Sequence, residues 1–101
     1  MELAKVIGNV VATIKLENLG MAKLLLVRSI DDKGRVTGMP QVAMDTIGAG
    51  EEEFVLLVRG SSARVSLENR SCVDLNVVGI VDIVRSGGNV IYSKSEDTNK
   101  E

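Results

Sequence analysis

Apolar positions in the first third of the chain follow the two-residue period that is typical of β-strands. Over residues 6–14, one alternate set of side chains is entirely apolar or small, which predicts a strand. Gly8 within this run predicts a bend or a close approach of two backbones. Residues 24–27 form a continuous apolar run that is followed by the turn-forming residues 31–34, so a second strand and a hairpin are expected.

The middle of the chain alternates short apolar runs with loop signals. Val36 begins a brief strand, but Pro40 has no backbone N–H group, so we expect the chain around it to lie at a sheet edge or in a loop. Short strands are predicted at 42–44 and 54–58. Residues 45–53 contain two glycines and an acidic triplet, which predicts a loop with exposed backbone amides.

One short helix and two further strands are predicted in the last third. A serine oxygen can accept a hydrogen bond from an amide two or three residues later, so Ser61 or Ser62 is expected to cap a helix over residues 63–68. A β-branched apolar run predicts a strand over 77–84. A glycine-containing turn then leads to a last short strand at 90–92.

Short strands at close spacing, with a single helix, predict a mainly β fold of the small OB-like β-barrel kind. The length of 101 residues fits one domain. We assign residues 1–92 to a single barrel domain and residues 93–101 to a polar C-terminal tail.

Two of the predicted strands carry apolar side chains on both faces, although a barrel buries only one face of each strand in its interior. The runs at 24–27 and 77–84 therefore leave an apolar surface outside the barrel. Covering that surface at about 25 cal/mol per Å² would stabilise each subunit by several kcal/mol, so the pattern predicts an oligomer. The alternative is that the short helix and the loops of the same chain cover this face.

Composition and charge exclude several classes of function. The net charge is -2 and both signs are intermixed, so the chain has no basic stripe for a phosphate backbone. It contains no histidine and one cysteine, which excludes a disulfide within the chain and a thiolate or imidazole cluster for zinc. No apolar run reaches the roughly 18 residues of a membrane helix. We expect neither a nucleic-acid nor a membrane partner.

Three aspartates are the candidates for catalysis because they lie next to apolar or glycine-rich segments: Asp45, Asp74 and Asp82. A buried pair of carboxylates could act as acid and base. With no histidine and no activated nucleophile beside them, the favoured interpretation is that each one caps a turn or accepts hydrogen bonds from loop amides. We therefore expect a protein that is not an enzyme, with no catalytic residue, no cofactor and no metal.

Six segments occur in a specific order and spacing between residue 3 and about residue 92: AKVIG at 4–8, KLLLV at 23–27, VAMD at 42–45, IGAG at 47–50, VLLVRGSSAR at 55–64 and VGIVD at 78–82. In these segments the chain resembles the vertex proteins of bacterial microcompartment shells, the family that includes carboxysome and ethanolamine-compartment pentamers. The alternative function is an OB-fold module that binds single-stranded nucleic acid. That function needs a basic groove with exposed aromatic side chains, and the only aromatic residues are Phe54 and Tyr92.

The resemblance implies an OB-like barrel that assembles as a cyclic pentamer and closes the five-fold corners of a polyhedral shell. It implies hexameric shell proteins in the facets as partners, and a location in the cytoplasm, in the shell of a microcompartment. It also implies a narrow opening on the symmetry axis, which we assign to Gly48, Ala49 and Gly50.

We further expect three residues at the subunit interface: Ser61, Ser62 and Arg64. The guanidinium of Arg64 presents a planar fork of donors that can pair with carboxylates or carbonyl groups across a subunit boundary. The alternative for Arg64 is an exposed charge on the predicted helix.

Overall fold

The computed structural model describes residues 1–12, 23–60 and 74–94. Within these ranges lie the strands β1 (Glu2–Val10), β2 (Lys23–Ile30), β3 (Val36–Asp45), β4 (Phe54–Arg59), β5 (Leu75–Ile80), β6 (Ile83–Ser86) and β7 (Asn89–Ser93). The first five close into a barrel in the order β1-β2-β3-β5-β4, and β6 pairs with β7 in a separate two-stranded ribbon. The predicted mainly β, OB-like class is confirmed.

One sequence prediction falls on a part of the chain that lacks a description: the helix expected over residues 63–68 lies outside the described residues. The division between a barrel domain and a tail at residue 93 stays a prediction, and Ser93 itself belongs to β7. In the three described ranges, no helix has the length and apolar character needed to cross a membrane.

Small aliphatic side chains fill the interior of the barrel. The fully buried cluster consists of Ala4, Val6, Leu25, Val27, Ala43, Ala49, Val55, Leu57, Leu75 and Val77. All five barrel strands contribute to it, together with one loop residue, Ala49. Because a strand points alternate side chains to opposite faces, these inward positions leave the residues between them on the outside.

Strand β1 begins earlier and ends earlier than its apolar pattern predicts. It runs over Glu2–Val10 because its first residues pair with β4, where Glu2 lies opposite Leu57. The alternation expected to continue to residue 14 is interrupted by a register shift between Val6 and Gly8. This shift corresponds to the bend predicted at Gly8. Pairing with β2 resumes after it and ends at Val10, opposite Leu24, so the predicted extension of the strand to residue 14 is wrong.

Pro40 lies inside a strand and does not separate two strands as expected. In the β2–β3 pair, Val27 lies opposite Gln41 and Ser29 lies opposite Thr37. Three residues of β3, including Pro40, therefore face a single residue of β2 in a bulge, where the ladder does not require an N–H group from proline. The strand thus continues from Val36 to Asp45.

The apolar run predicted as one strand over residues 77–84 is divided between the barrel and the ribbon. Strand β5 ends at Ile80, and β6 begins at Ile83. At the break, the amide of Val81 donates to the carbonyl of Phe54 at 2.8 Å, and the carbonyl of Asp82 accepts from the amide of Lys94 at 2.9 Å. These bonds satisfy backbone groups where the chain leaves the barrel.

An aromatic contact packs the ribbon against the barrel. Phe54 at the start of β4 and Tyr92 in β7 stack with ring centroids 3.9 Å apart and planes 9° from parallel. Both side chains are buried. The turn between β2 and β3 also approaches the ribbon, because a Cβ built on Gly34 would lie 3.3 Å from the carbonyl oxygen of Ile91.

Candidate assembly surface and loop

The outer face of the barrel carries apolar side chains that remain accessible to water. Leu25 and Val27 point into the core, while Leu26 between them is half-buried on the outside and lies opposite Val42. The side chain of Val42 is 46% exposed, and that of Val78 in β5 is 43% exposed. Exposed apolar side chains therefore lie outside the barrel on β3 and β5, and the predicted use of such a surface in an oligomer stays a prediction at this point.

A loop from Thr46 to Glu53 connects β3 to β4 and is organised by the buried carboxylate of Asp45. This residue is only 2% exposed. Its Oδ1 accepts from the amides of Ile47 at 2.9 Å and Gly48 at 3.2 Å, and its Oδ2 accepts from the amide of Ala49 at 2.7 Å. Hydrogen bonds from three backbone amides offset the free-energy cost of burying a carboxylate. The expected structural role of Asp45 is confirmed.

Two lysines and Glu53 hold the far side of the same loop. The ammonium group of Lys23 donates to the carbonyl of Ala49 at 2.9 Å. Glu53 accepts from the amide of Gly50 at 2.6 Å through Oε1 and pairs with Lys94 at 2.8 Å through Oε2. The hydrogen bond from Lys94, followed by that from Gly50, lowers the pKa of Glu53 below its usual value.

The residues assigned to the axis opening differ in their accessibility. Gly48 is exposed and Gly50 is half-buried, whereas the side chain of Ala49 is completely buried in the barrel core. Ile47, next to Gly48, is 48% exposed. The assignment of this loop to a symmetry axis stays a prediction. Of the three assigned residues, Gly48 is the exposed one.

The predicted interface residues Ser61, Ser62 and Arg64 lie outside the described residues. Arg59, which is close to them in sequence, forms a hydrogen-bond network. Arg59 donates through Nε and Nη2 to both carboxylate oxygens of Glu2, at 2.6 and 3.0 Å, and through Nη2 to Gln41 at 3.0 Å. The hydrogen bond from Arg59 lowers the pKa of Glu2.

Sequence reasoning did not identify the Arg59 network. Its three members lie on β1, β3 and β4. Glu2 and Arg59 are 57 residues apart in the sequence, and they meet because β1 is an antiparallel neighbour of β4. The available signal was opposite charge on Glu2 and Arg59, but only the strand order makes these positions adjacent.

The aromatic pair and the remaining candidate aspartates have defined positions in the described parts of the chain. Phe54 and Tyr92, the only aromatic residues of the sequence, are buried against each other and offer no exposed stacking surface. Asp74 and Asp82 are exposed. Among the described residues, no group of three or more acidic or cysteine side chains is placed to hold a metal ion.

The chain matches the family model described as Ethanolamine utilisation protein EutN/carboxysome over residues 1–82. The chain belongs to the EutN/CcmL family. It is 52% identical over 95 residues to the bacterial microcompartment shell vertex protein EutN of Escherichia coli K12, which covers 93% of this chain and 100% of the relative. It is 46% identical over 98 residues to the carboxysome shell vertex protein CcmL of Synechocystis, with 96% and 98% covered.

Solved structures of EutN/CcmL proteins have the same fold. The crystal structure of Escherichia coli EutN superposes with a TM-score of 0.85 at 52% identity, covering 94% of this chain and 99% of that one. The pentameric microcompartment shell protein GrpN of Rhodospirillum rubrum superposes with a TM-score of 0.78 at 48% identity, covering 85% and 99%.

Membership of the EutN/CcmL family confirms the main functional prediction. The predicted class, a structural vertex protein located in a microcompartment shell, is confirmed through relatives that match over nearly their whole length. The alternative, an OB-fold module for single-stranded nucleic acid, is not supported.

Proposed function

We propose that this chain forms a cyclic pentamer that closes the five-fold corners of a bacterial microcompartment shell, in contact with hexameric shell proteins in the facets, and that it catalyses no reaction. The observation that carries the proposal is the pentameric shell protein GrpN, which this chain matches over 99% of that protein's length at 48% identity. At this similarity, both the fold and the surfaces that determine assembly are expected to be shared.

The outer face of the barrel supports assembly with further copies. Val42 and Val78 each expose more than two fifths of an apolar side chain on the outside of the barrel. In a ring, one patch on each subunit meets a different patch on the next, and the ring closes when the rotation between neighbours divides a full turn. Burying these side chains in such contacts would stabilise the ring by about 25 cal/mol per Å² of apolar surface.

The role of Asp45 supports a structural function. A general base needs an oxygen that is available to a substrate. Both carboxylate oxygens of Asp45 accept hydrogen bonds from backbone amides, so this buried carboxylate is already engaged in shaping a loop. Asp45 therefore has a structural role in the proposed function and no role in catalysis.

Deletion of the gene in its own host tests the proposed function directly. A sheet of hexagons remains flat, so shells that lack their five-fold units should fail to close. Electron microscopy of the deletion strain should reveal open or elongated shells, and expression of the wild-type chain should restore closed polyhedra.

A variant with a charge in the apolar face provides the matched comparison. Val42→Asp places a carboxylate where the proposed contact is apolar, so it should fail to restore closed shells. Val90→Asp changes a residue of equal type and similar exposure on the ribbon and should restore them. Closed polyhedra in the deletion strain, or recovery of the chain only outside the shell fraction, would contradict the proposed function.

A further inference from the structure

We propose that Arg59 acts as a clasp that keeps the barrel closed at the junction between β3 and β5. The clasp is defined as the hydrogen-bonded side chains of Glu2, Gln41 and Arg59. It restrains a local opening of the barrel, in which β3 separates from β5 while the other strand pairs remain intact. The inference concerns the single subunit, so it is independent of the number of subunits in the proposed ring.

The junction between β3 and β5 is the shortest in the barrel among the described residues. The two strands run parallel, with Met44 opposite Asn76 and Asp45 opposite Val77. Strand β5 begins at Leu75, so it does not accompany the earlier part of β3. The junction between β2 and β3, by contrast, extends over nearly the full length of both strands. A local opening of the barrel therefore breaks the fewest ladder hydrogen bonds between β3 and β5.

The clasp lies at one end of the barrel interior. Alternate residues of a strand face the same side of a sheet. Each member of the clasp is two positions away from a core residue of its own strand, and these core residues are Ala4, Ala43 and Leu57. Glu2, Gln41 and Arg59 therefore occupy the next inward-facing positions beyond the apolar core. At this end of the barrel, hydrogen-bonded polar side chains replace the aliphatic ones.

The guanidinium group of Arg59 connects strands that lie on both sides of the short junction. Its Nε and Nη2 donate to the two carboxylate oxygens of Glu2, at 2.6 and 3.0 Å, and this bidentate pair fixes the orientation of the guanidinium plane. Nη2 also donates to the side-chain oxygen of Gln41 at 3.0 Å. In the barrel order, β5 lies between β3 and β4. The bond to Gln41 therefore ties β3 to β4 where β5 does not extend.

The geometry of the clasp allows it to contribute although it is partly exposed. The side chains of Arg59 and Glu2 are 42% and 35% exposed. An isolated ion pair at this exposure contributes little, but a bidentate pair that also engages a third side chain is an exception. Separation of β3 from β5 must break the bond between Arg59 and Gln41 in addition to the ladder bonds. One bond from a charged donor changes the equilibrium of such an opening by about tenfold.

Hydrogen exchange of backbone amides in the 101-residue chain measures the opening. Gln41→Ala removes the clasp bond that crosses the junction and retains the pair of Glu2 with Arg59. We expect the amides of residues 44–45 and 76–77 that are bonded across the junction to exchange about tenfold faster in this variant. Amides bonded between β1 and β2 should exchange at the wild-type rate. Arg59→Gln should accelerate exchange at the junction at least as much.

A second arginine provides the matched control. Arg35 pairs with Asp31 at 3.0 Å inside the turn between β2 and β3, so Arg35→Gln removes an ion pair of the same type and should leave exchange at the junction unchanged. Gln41→Ala should add nothing to Arg59→Gln, because Gln41 acts through Arg59. Wild-type exchange at the junction in Gln41→Ala would overturn the clasp. Equal acceleration in every strand by Arg59→Gln would also overturn it, because that result indicates general destabilisation.

Discussion

At the scale of single residues, ion pairs between a carboxylate and a basic side chain connect parts of this chain that are distant in sequence. Glu2 is bound by Arg59 across two strands, and Glu53 is bound by Lys94 and by a loop amide. In both cases the hydrogen bonds stabilise the ionised form, which lowers the pKa of the carboxyl group. The pairs are partly exposed, so solvent screens them and each contributes modestly to stability.

Acid should weaken the folded subunit through Glu53. Its folded pKa lies below the usual 4.5, so its stabilising contribution is complete above about that pH and is lost as the pH falls through the lowered folded value. We expect Glu53→Gln to be less stable than the wild type at neutral pH and to lose less stability between neutral pH and about pH 3. Urea unfolding at several pH values measures this difference.

The control for this pH prediction is a neighbouring residue of the same acidic triplet. Glu51 is exposed at the surface of the loop. Glu51→Gln should follow the wild-type dependence on pH. Equal pH dependence of the wild type and Glu53→Gln would contradict the role assigned to the pair with Lys94.

Substitution of two glycines in the β2–β3 hairpin distinguishes the cost of backbone strain from the cost of a steric clash. Gly34 and Gly38 have φ angles of 82° and 75°, which favour glycine, but only a Cβ on Gly34 would meet a neighbour, the carbonyl oxygen of Ile91 at 3.3 Å. Gly38→Ala should cost about 1 kcal/mol of unfolding free energy and Gly34→Ala about 2 kcal/mol or more. Denaturant unfolding measures both. Equal losses would indicate that the turn does not pack against the ribbon.

The β6–β7 ribbon illustrates stability at the level of an element. An isolated two-stranded hairpin is marginally stable in water, so the ribbon depends on its contacts with the barrel. The stacked pair of Phe54 and Tyr92 supplies a buried contact, and Lys94 adds an ion pair to Glu53 at the end of β7. The short turn through Gly87 and Gly88 then closes the ribbon locally.

Removal of the tyrosine ring should destabilise the whole subunit. Tyr92→Ala deletes a buried aromatic side chain, and we expect a loss of about 3 kcal/mol in the free energy of unfolding. Val90→Ala, on the exposed side of the same strand, should change this free energy by less than about 0.5 kcal/mol. Far-UV circular dichroism in urea measures both variants. A small effect of Tyr92→Ala would show that the stack does not seat the ribbon.

Local signals predicted the turns better than the limits of the strands, and the division of the run at 77–84 between the barrel and the ribbon was missed. Acidic and glycine residues mark the turn after β2, and two glycines mark the ribbon turn, because these residues act through their own backbone preferences. The start of β1 and the passage of β3 through Pro40 depend on pairing with strands distant in sequence. Such pairing has no local signature, so both boundaries were missed.

At the scale of the whole molecule, the apolar surplus on both faces of two strands was the strongest physical prediction from the sequence. On these two strands, Val78 is exposed and Leu26 is half-buried. The sequence pattern favoured association but could not determine the number of subunits, which comes from the family resemblance. The loop of residues 45–53 was recognised from its glycines, whereas the buried position of Ala49 depends on barrel closure.

Native mass spectrometry of the 101-residue chain tests the proposed pentamer, because it counts the subunits of the assembly. We expect a dominant species of five chains of 10.8 kDa each for the wild type, and smaller species for Val42→Asp. Val90→Asp should retain the mass of the wild-type assembly. A wild-type chain that remains a monomer at high concentration, or that forms a ring with another number of subunits, would contradict the account.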